Sequence, residues 1–296
     1  MNDLTSVIVP SYNSSKTIGL TLDCILRQPS GLIKEIIVVD SSGDEATIRL
    51  LEGYKSKGII VIHLDEKTMP AKARNLGAAA ATGRILAFVD SDTCLSDSWL
   101  ENVIRTYNSG RKVGGGSISC IDFQRNKLLP TAQLFLQLNE FLRFGKPRVV
   151  RFSPSCNIFC DRKIFEEIGG FPDIRAAEDL MFGLKVNETD KFWFIPEIEA
   201  YHIFREDYQG FKENQKLLGK YSYLYRKTLG NKSIYKDNRA LVMVPAFMLI
   251  KPIRMIARVL RTGTRNSAKM VLVAPLFFAG LYYWNVGFIK GVLEKN

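Results

Sequence analysis

The sequence predicts an α/β protein whose core is a doubly wound, mostly parallel sheet, followed by a C-terminal helical extension that associates with a membrane. Between residues 4 and 108, short apolar strands alternate four times with helical patterns, which is typical of a parallel sheet with helices on both faces. The strand at 85–89 is apolar at every position, as expected for burial on both faces. From residue 240 the chain becomes apolar and basic, which predicts a separate segment.

The first four strand–helix pairs are predicted from apolar periodicity and from the turn residues between segments. We expect Ser14 or Ser15 to cap the first helix, and Pro70 to start the third, which Gly83 ends. The predicted strands cover 4–9, 35–40, 58–63 and 85–89, and the helices cover the residues around Leu22, a segment ending near Lys57, the segment from Pro70, and the residues around Trp99.

Polar residues follow three of these strands at their carboxyl ends. Ser11 and Asn13 follow the first strand, Asp40 ends the second, and Asp90 and Asp92 follow the fourth. Because ligands of open α/β sheets bind at the carboxyl ends of the strands, we expect a nucleotide site at this edge. A Gly-x-Gly-x-x-Gly fingerprint or a Walker loop does not follow the first strand, which disfavours a dinucleotide or P-loop site.

The pair Asp90 and Asp92 predicts a metal site. Two carboxylates one residue apart can turn toward one hard cation, Mg²⁺ or Mn²⁺, and leave positions open for phosphate oxygens. The alternative is that both carboxylates cap the following helix.

Beyond residue 108 the pattern is less regular. We expect a strand within 112–121, a helix over 129–144, a loop entering a strand at 152–159, a short helix at 162–168, a turn at Gly169-Gly170, and a strand from about 195 to His202. Glu178 and Asp179 start another helix, where capping is the simplest role for both. His202 ends the last of these strands, and Arg205 lies three residues beyond it.

Composition restricts the compartment and the partners. The five cysteines form no Cys-x-x-Cys pair, so we expect reduced thiols in the cytosol. The first strand starts within ten residues of the beginning, so we expect no signal peptide. The net charge is +11, and residues 236–269 contain eight basic residues and one acid. Such a segment suits nucleic acid or an anionic membrane surface.

The segment 238–296 is predicted to anchor the protein to an anionic membrane. Basic residues recur at spacings of three and four, which predicts one basic stripe on one helix: Lys251, Arg254, Arg258, Arg261 and Arg265. The uncharged run 270–289 is long enough to cross a bilayer and disfavours a nucleic-acid partner. A shallow or re-entrant helix, or a buried helix of the catalytic domain, remains an alternative.

Residues 5–205 resemble the family-2 glycosyltransferases, which have the Rossmann-like GT-A fold. The matching pieces stand in order: Val7-Ile-Val-Pro-Ser-Tyr-Asn13, Ile36-Ile-Val-Val-Asp40, Ala73-Arg-Asn-Leu-Gly77, Asp90-Ser-Asp92, Asn157, Gly169-Gly-Phe171 and Glu178-Asp179. Ser41-Ser42-Gly43-Asp44 departs from the family's usual residues after Asp40, and the Gln-x-x-Arg-Trp motif of processive synthases is absent, so we expect transfer of single sugars.

The resemblance implies the role of each site residue. The expected metal ligands are Asp92 and His202, and the catalytic pair is Asp179, as general base, with Glu178. The alternative for His202 is a half-buried histidine bonded to backbone, and the alternative for Arg205 is a solvated surface residue. Binding of the nucleotide sugar is expected from Pro10, Ser11, Tyr12, Asn13, Asp40, Arg74, Asn75, Asp90, Ser91, Asn157 and Arg205.

The expected function is metal-assisted, inverting transfer of a sugar from a nucleotide-diphosphate donor to a hydroxyl of a lipid-linked or glycan acceptor of the cell envelope. Residues 1–230 would form the catalytic domain, which faces the cytoplasm, and 238–296 the membrane anchor. A leaving nucleoside diphosphate needs charge neutralisation by a cation but no general acid, so one base suffices. The alternative is a non-catalytic membrane adaptor that binds a nucleotide sugar or a protein.

Overall fold

The computed structural model describes residues 4–174, 177–229 and 238–294, which form two compact units. The first unit comprises the described residues of Met1–Ser119 and Gly145–His202, and the second those of Cys120–Phe144 and Ile203–Asn296. This division by contacts differs from the functional division predicted at 1–230 and 238–296, which stays a prediction. The junction of the predicted domains, with Lys236, lies outside the described residues.

The order of elements follows the predicted alternation as far as residue 108. The strands are β1 (Thr5–Ser11), β2 (Ile33–Asp40), β3 (Ile60–His63), β4 (Ile85–Phe88), β5 (Thr93–Leu95), β6 (Val113–Cys120), β7 (Arg148–Val149), β8 (Ile158–Asp161) and β9 (Phe192–His202). The helices are α1 (Ile18–Leu26), α2 (Glu45–Lys55), α3 (Pro70–Ala80), α4 (Trp99–Asn108), α5 (Leu128–Gln137), α6 (Arg162–Glu167), α7 (Glu178–Thr189), α8 (Tyr208–Leu229), α9 (Val244–Leu260) and α10 (Thr264–Leu293).

The sheet confirms the predicted fold class. Within the described chain its order is β3-β2-β1-β4-β8-β6-β9-β5, and β7 pairs with β9. The first four strands are parallel, whereas β8 runs antiparallel to both β4 and β6. The parallel register places Ser11 opposite Asp40 and Asp40 opposite His63, so three strand ends meet at one edge. The sequence did not predict β5 and β7, whose three and two residues are too short for a pattern.

Two hydrophobic cores lie on the opposite faces of this sheet. Val7 and Val9 point to the core that α1, α2 and α4 cover, and Ile8 points to the core that α3, α6 and α7 cover. Every residue of β4 is fully buried. The carboxyl ends of the strands are therefore the part of this sheet where polar groups can gather without being buried in an apolar layer.

Three local predictions were wrong. In α1 the Ser14 backbone carbonyl, and no serine side chain, accepts the N–H groups of Thr17 and Ile18, both at 2.9 Å. Gly83 lies beyond the end of α3, and a Cβ there would lie 2.6 Å from Ser6 Oγ, so close approach to β1 explains this glycine. The helix expected over 129–144 ends at Gln137 and is followed by a short 3₁₀ turn.

The second unit is helical and combines α5, α8, α9 and α10. The predicted single basic stripe is also wrong, because α9 ends at Leu260 and Gly263 (φ 110°) turns the chain into α10. Arg265 therefore lies on a different helix from Lys251 and Arg254. In this part of the chain, Arg239–Leu260 and Thr264–Leu293 are long and apolar enough to cross a membrane, with mean hydropathies of 1.8 and 1.5.

Candidate active site

The ends of β1, β2 and β3 hold one buried carboxylate between three side chains. Asp40 is fully buried, and its Oδ1 accepts hydrogen bonds from Ser11 Oγ at 2.7 Å and Ser42 Oγ at 2.6 Å. Its Oδ2 lies 3.0 Å from His63 Nδ1. Both carboxylate oxygens are thus engaged within the protein. In this structure Asp40 orients its neighbours, and its predicted binding of the donor stays a prediction.

His63 and Ser42 are site residues that the sequence reasoning missed. The His63 side chain is 41% exposed although its Nδ1 meets Asp40, so part of the ring is accessible to solvent. The signal was present in the sequence, because His63 ends a predicted strand next to the strand that ends at Asp40. It was overlooked because an exposed histidine alone does not indicate a site.

The loop after β1 divides into a buried and an exposed half. Pro10 and Ser11 are buried within the strand, whereas Tyr12 is 43% exposed, with Lys67 Nζ 4.1 Å from its ring centre. Asn13 adopts φ 48° and donates its N–H to Ser42 Oγ at 2.7 Å. The left-handed conformation, which asparagine tolerates well, turns the loop across the end of β2. The Tyr12 ring is the flat surface of this loop that a nucleobase could stack on.

Arg74 is a buried cation that joins the end of β4 to the start of α7. It is only 2% exposed, and it donates to Asp90 Oδ1 at 2.5 Å and to Glu178 Oε1 at 3.2 Å. Burial opposes the charge, but the carboxylates of Asp90 and Glu178 outweigh it and raise the pKa of Arg74. Arg74 was predicted to lie near the base or diphosphate. In this structure it positions two acids of the site, and its contact with the base or diphosphate stays a prediction.

Asn75 and Asn157 also have internal partners. Asn75 accepts the Phe171 N–H at 3.0 Å and donates to the Phe171 carbonyl at 2.7 Å, which fixes the turn after Gly170 (φ 66°). Asn157 is fully buried, accepts from Trp99 Nε1 at 2.8 Å and donates to two backbone carbonyls. Both ends of the Asn157 amide thus bind protein groups in this structure, and its predicted contact with the donor stays a prediction.

Asp179 is the acid of the site with the most perturbed protonation. Burial raises the pKa of Asp179 to about 7, and the neighbouring Glu178 carboxylate adds to the rise, whereas the Leu180 N–H and Arg74 lower it. The Leu180 N–H donates to Asp179 Oδ1 at 2.7 Å. A carboxylate with a pKa near 7 can accept a proton at neutral pH more effectively than an ordinary aspartate, which suits a general base.

Asp92 and His202 meet through the pairing of β5 with β9. Thr93 stands opposite His202 in the register, and His202 Nε2 lies 3.5 Å from Asp92 Oδ1. A carboxylate oxygen and an imidazole nitrogen at this separation can bind one divalent cation, since cis ligands of such an ion lie about 3 Å apart. Ser91 is half-buried between the two acids of the motif.

The residues present fit such a cation only in part. No cluster of three or more His, Cys, Asp or Glu side chains suited to a metal occurs in the described ranges. The protein would supply two ligands, and the remaining positions would fall to phosphate oxygens and water, as is usual for Mg²⁺ at phosphate sites. Arg205 belongs to the second unit, where its backbone carbonyl accepts from Gln133, and its predicted contact with phosphate stays a prediction.

The match to a known family decides the general identity. The family model described as Glycosyl transferase family 2 matches residues 6–169, which is more than half of the chain. The chain belongs to glycosyl transferase family 2. The matched range contains the strand ends with Asp40, Asp90 and Asp92, and it ends before Asp179 and His202.

Individual members of the family are similar over part of their length. Glycosyltransferase AglE of Haloferax volcanii is 26% identical over 172 residues, which is 57% of this chain and 56% of that protein. The UDP-Glc:alpha-D-GlcNAc-diphosphoundecaprenol beta-1,3-glucosyltransferase WfgD of Escherichia coli is 32% identical over 99 residues, which is 33% of this chain and 37% of that protein. The chain therefore covers about half of the first of these relatives and less of the second.

A solved structure supports the GT-A fold along the whole chain. The mannosyltransferase PcManGT from Pyrobaculum calidifontis, in complex with GDP-Man and Mn²⁺, matches 99% of this chain and 88% of its own, with a TM-score of 0.63 and 18% identity. At this identity the likeness establishes the fold alone. The similarity extends over the helical second unit as well as over the sheet.

Proposed function

We propose that this protein is an inverting glycosyltransferase that moves a single sugar from a nucleotide-diphosphate donor to a hydroxyl of a lipid-linked or glycan acceptor. The observation that carries the proposal is a pair of hydrogen bonds from Arg74. Its guanidinium binds Asp90 at the end of β4 and Glu178, which lies beside Asp179. This contact brings the acid with a raised pKa to the edge of the sheet where family members are expected to bind their donor.

Asp179 acts as the general base in this proposal. The acceptor hydroxyl loses its proton to Asp179 while its oxygen bonds to the anomeric carbon, and the bond from that carbon to the diphosphate oxygen breaks with its electron pair on the leaving group. Attack opposite the leaving group inverts the configuration. Arg74 and Glu178 hold the base in position, and the exposed faces of Tyr12 and His63 contact the nucleotide.

A Mg²⁺ or Mn²⁺ ion held by Asp92 and His202 would offset the negative charge that develops on the leaving diphosphate. Mn²⁺ in the PcManGT complex supports the choice of a divalent ion. The name of WfgD, with its diphosphoundecaprenol acceptor, supports a lipid-linked acceptor and a role in cell-envelope glycans. We place the protein at a membrane, with its active site on the cytoplasmic side, where nucleotide sugars are found.

A transfer assay tests the proposal. Purified full-length protein would be incubated with Mn²⁺, a panel of nucleotide sugars and polyprenyl-diphosphate-linked acceptors, and nucleoside diphosphate release would be measured together with the product's anomeric configuration. We expect one donor to give an inverted product, and Asp179→Asn to abolish it. Glu188→Gln, an exposed acid on the same helix α7, is the matched control and should retain transfer.

The same assay separates the enzyme from a non-catalytic adaptor. An adaptor would bind a nucleotide sugar and neither transfer nor hydrolyse it with any acceptor or metal. A product with retained configuration would contradict the single-base mechanism, because retention requires a second displacement.

A further inference from the structure

Helices α9 and α10 each present an exposed apolar stripe. On α9 the stripe contains Leu249 and Ile253, each 66% exposed, and Leu260. On α10 it contains Val271, 75% exposed, and further large side chains at helical spacing: Leu272, Phe278 and Tyr282. Spacings of four and seven residues place Leu249, Ile253 and Leu260 on one face of α9. The same spacings place Val271, Phe278 and Tyr282 on one face of α10, with Leu272 beside it. Contiguous apolar surface of this kind usually marks an interaction site.

The opposite face of α10 is packed on protein along its length. Its first half contributes Val273 and Phe277 to a core shared with α5. Its second half lies directly against α8, because a Cβ on Gly287 would collide with the Lys216 carbonyl and one on Gly219 with the Trp284 carbonyl. These two glycines let the backbones of α8 and α10 approach closely, so the two helices are packed against each other.

Helix α8 is unsuited to the interior of a bilayer. Along the stretch that contacts α10 it carries four charged residues: Lys212, Glu213, Lys216 and Lys220. If α10 crossed the bilayer, these charges would enter the hydrocarbon with it, where charged side chains are strongly disfavoured. The uncharged run 270–289 is thus long enough to cross a bilayer, but it packs against α8, whose charged residues are disfavoured in the hydrocarbon.

Helix α9 also carries charged side chains that have partners within the second unit. Lys251 Nζ lies 3.3 Å from the centre of the Trp284 ring, and Arg258 pairs with Glu140 at 2.6 Å. Its outward stripe is apolar, and the exposed Arg254 and Arg261 flank that stripe. From residue 238 to residue 294 the chain has eight basic residues and one acid, which is complementary to an anionic surface.

We propose that α9 and α10 lie in the plane of an anionic membrane and that neither helix crosses it. Their apolar stripes enter the boundary between headgroups and acyl chains, and the flanking arginines bind lipid phosphates. The inference rests on the membrane association proposed above and specifies its form. It does not depend on the transferase chemistry, which is measured separately with a soluble glycan acceptor.

Labelling of the two ends of α10 tests the topology. Full-length Thr264→Cys and Lys290→Cys proteins would be bound to vesicles of phosphatidylcholine and phosphatidylglycerol and treated with a membrane-impermeant maleimide. The five native cysteines are buried, so the wild-type protein is the background control. We expect both variants to be labelled to the same extent with and without detergent. If α10 crossed the bilayer, its two ends would lie about 39 Å apart on opposite sides of it, and one of them would be protected from the reagent. A variant that is labelled only after detergent is added would therefore overturn the proposal.

Charge substitution tests the surface itself. Ile253→Glu and Phe278→Glu should each weaken vesicle binding by at least about tenfold, because each puts a charge in place of an apolar side chain that enters the membrane. The matched control is Ile60→Glu, an exposed apolar residue of β3 in the first unit, which should bind vesicles normally. Circular dichroism and transfer to the soluble acceptor show that the variants are folded. Unchanged vesicle binding by both variants would overturn the proposal. So would a protein dimer that Phe278→Glu dissociates while vesicle binding stays the same, because the stripes would then bind a second copy of the chain.

Discussion

Replacing Asp179 by Asn should abolish transfer and at the same time stabilise the folded protein above neutral pH. Burial raises the pKa of Asp179 to about 7 in the folded protein, whereas an unfolded aspartate titrates near ~3.9. Between these values the folded protein retains a proton that the unfolded chain has released. Its free energy of unfolding therefore falls as the pH rises from about 4 to about 7 and stays reduced at higher pH.

The size of this effect follows from the pKa difference. A difference of about three units corresponds to about 4 kcal/mol. Asp179 is only partly buried, so solvent screens part of the penalty, and we expect about 1–2 kcal/mol to be recovered in the variant. For a chain of this length that free energy corresponds to a rise in Tm of about 2–4 °C.

Thermal unfolding at two pH values measures the effect. We expect Asp179→Asn to have the higher Tm at pH 8 and an unchanged Tm near pH 4, where the wild-type carboxyl is already neutral. Wild-type transfer should fall as the pH drops below about 7 because the base becomes protonated. The exposed Glu188→Gln should shift neither quantity. An equal Tm at pH 8 would refute the burial argument, and retained transfer by Asp179→Asn would refute its role as base.

Three further variants separate positioning from ligand contact. Asn157→Ala should lower the free energy of unfolding by about 2–3 kcal/mol, because it leaves buried partners unsatisfied. It should leave KM for the donor nearly unchanged. A large rise in KM with no loss of stability would instead support the predicted contact of Asn157 with the donor. Arg74→Met should cost about 3 kcal/mol and most of kcat, because Asp90 and Glu178 lose their shared cation, and unaltered unfolding would contradict this. His202→Ala should raise the Mn²⁺ concentration for half-maximal transfer by about 10-fold or more, and an unaltered metal requirement would exclude His202 as a ligand.

The parallel half of the sheet was predictable because each of its strands is a continuous apolar run that ends in a polar residue. The same rule located Ser11, Asp40 and Asp90 at one edge, and the register of β1 and β2 confirms that Ser11 and Asp40 meet. The antiparallel half was less predictable, because its strands pair across long sequence separations. For example, β4 pairs with β8, more than seventy residues later in the chain.

The role of each site residue was harder to predict than its position in the fold. A motif gives the residue type and its position on a strand or helix, but it does not say which side-chain atoms are already bonded within the protein. Asn157 and Arg74 both belong to matching motifs, yet the Asn157 amide and both terminal nitrogens of Arg74 bind protein groups. Whether a polar residue faces the core or the cleft depends on the packing of distant elements, here Trp99 from α4 and Glu178 from α7.

The position of Asp179 shows how such distant packing produces the site. Ala177, just before α7, has φ 67°, a left-handed conformation that costs an alanine about 1 kcal/mol or more. Nothing in the local sequence favours it, so it must be maintained by contacts elsewhere. The hydrogen bond from Arg74 to Glu178 is such a contact, and the same guanidinium binds Asp90. One buried cation therefore binds both Asp90 and Glu178, the residue beside the proposed base, and so ties the start of α7 to the end of β4.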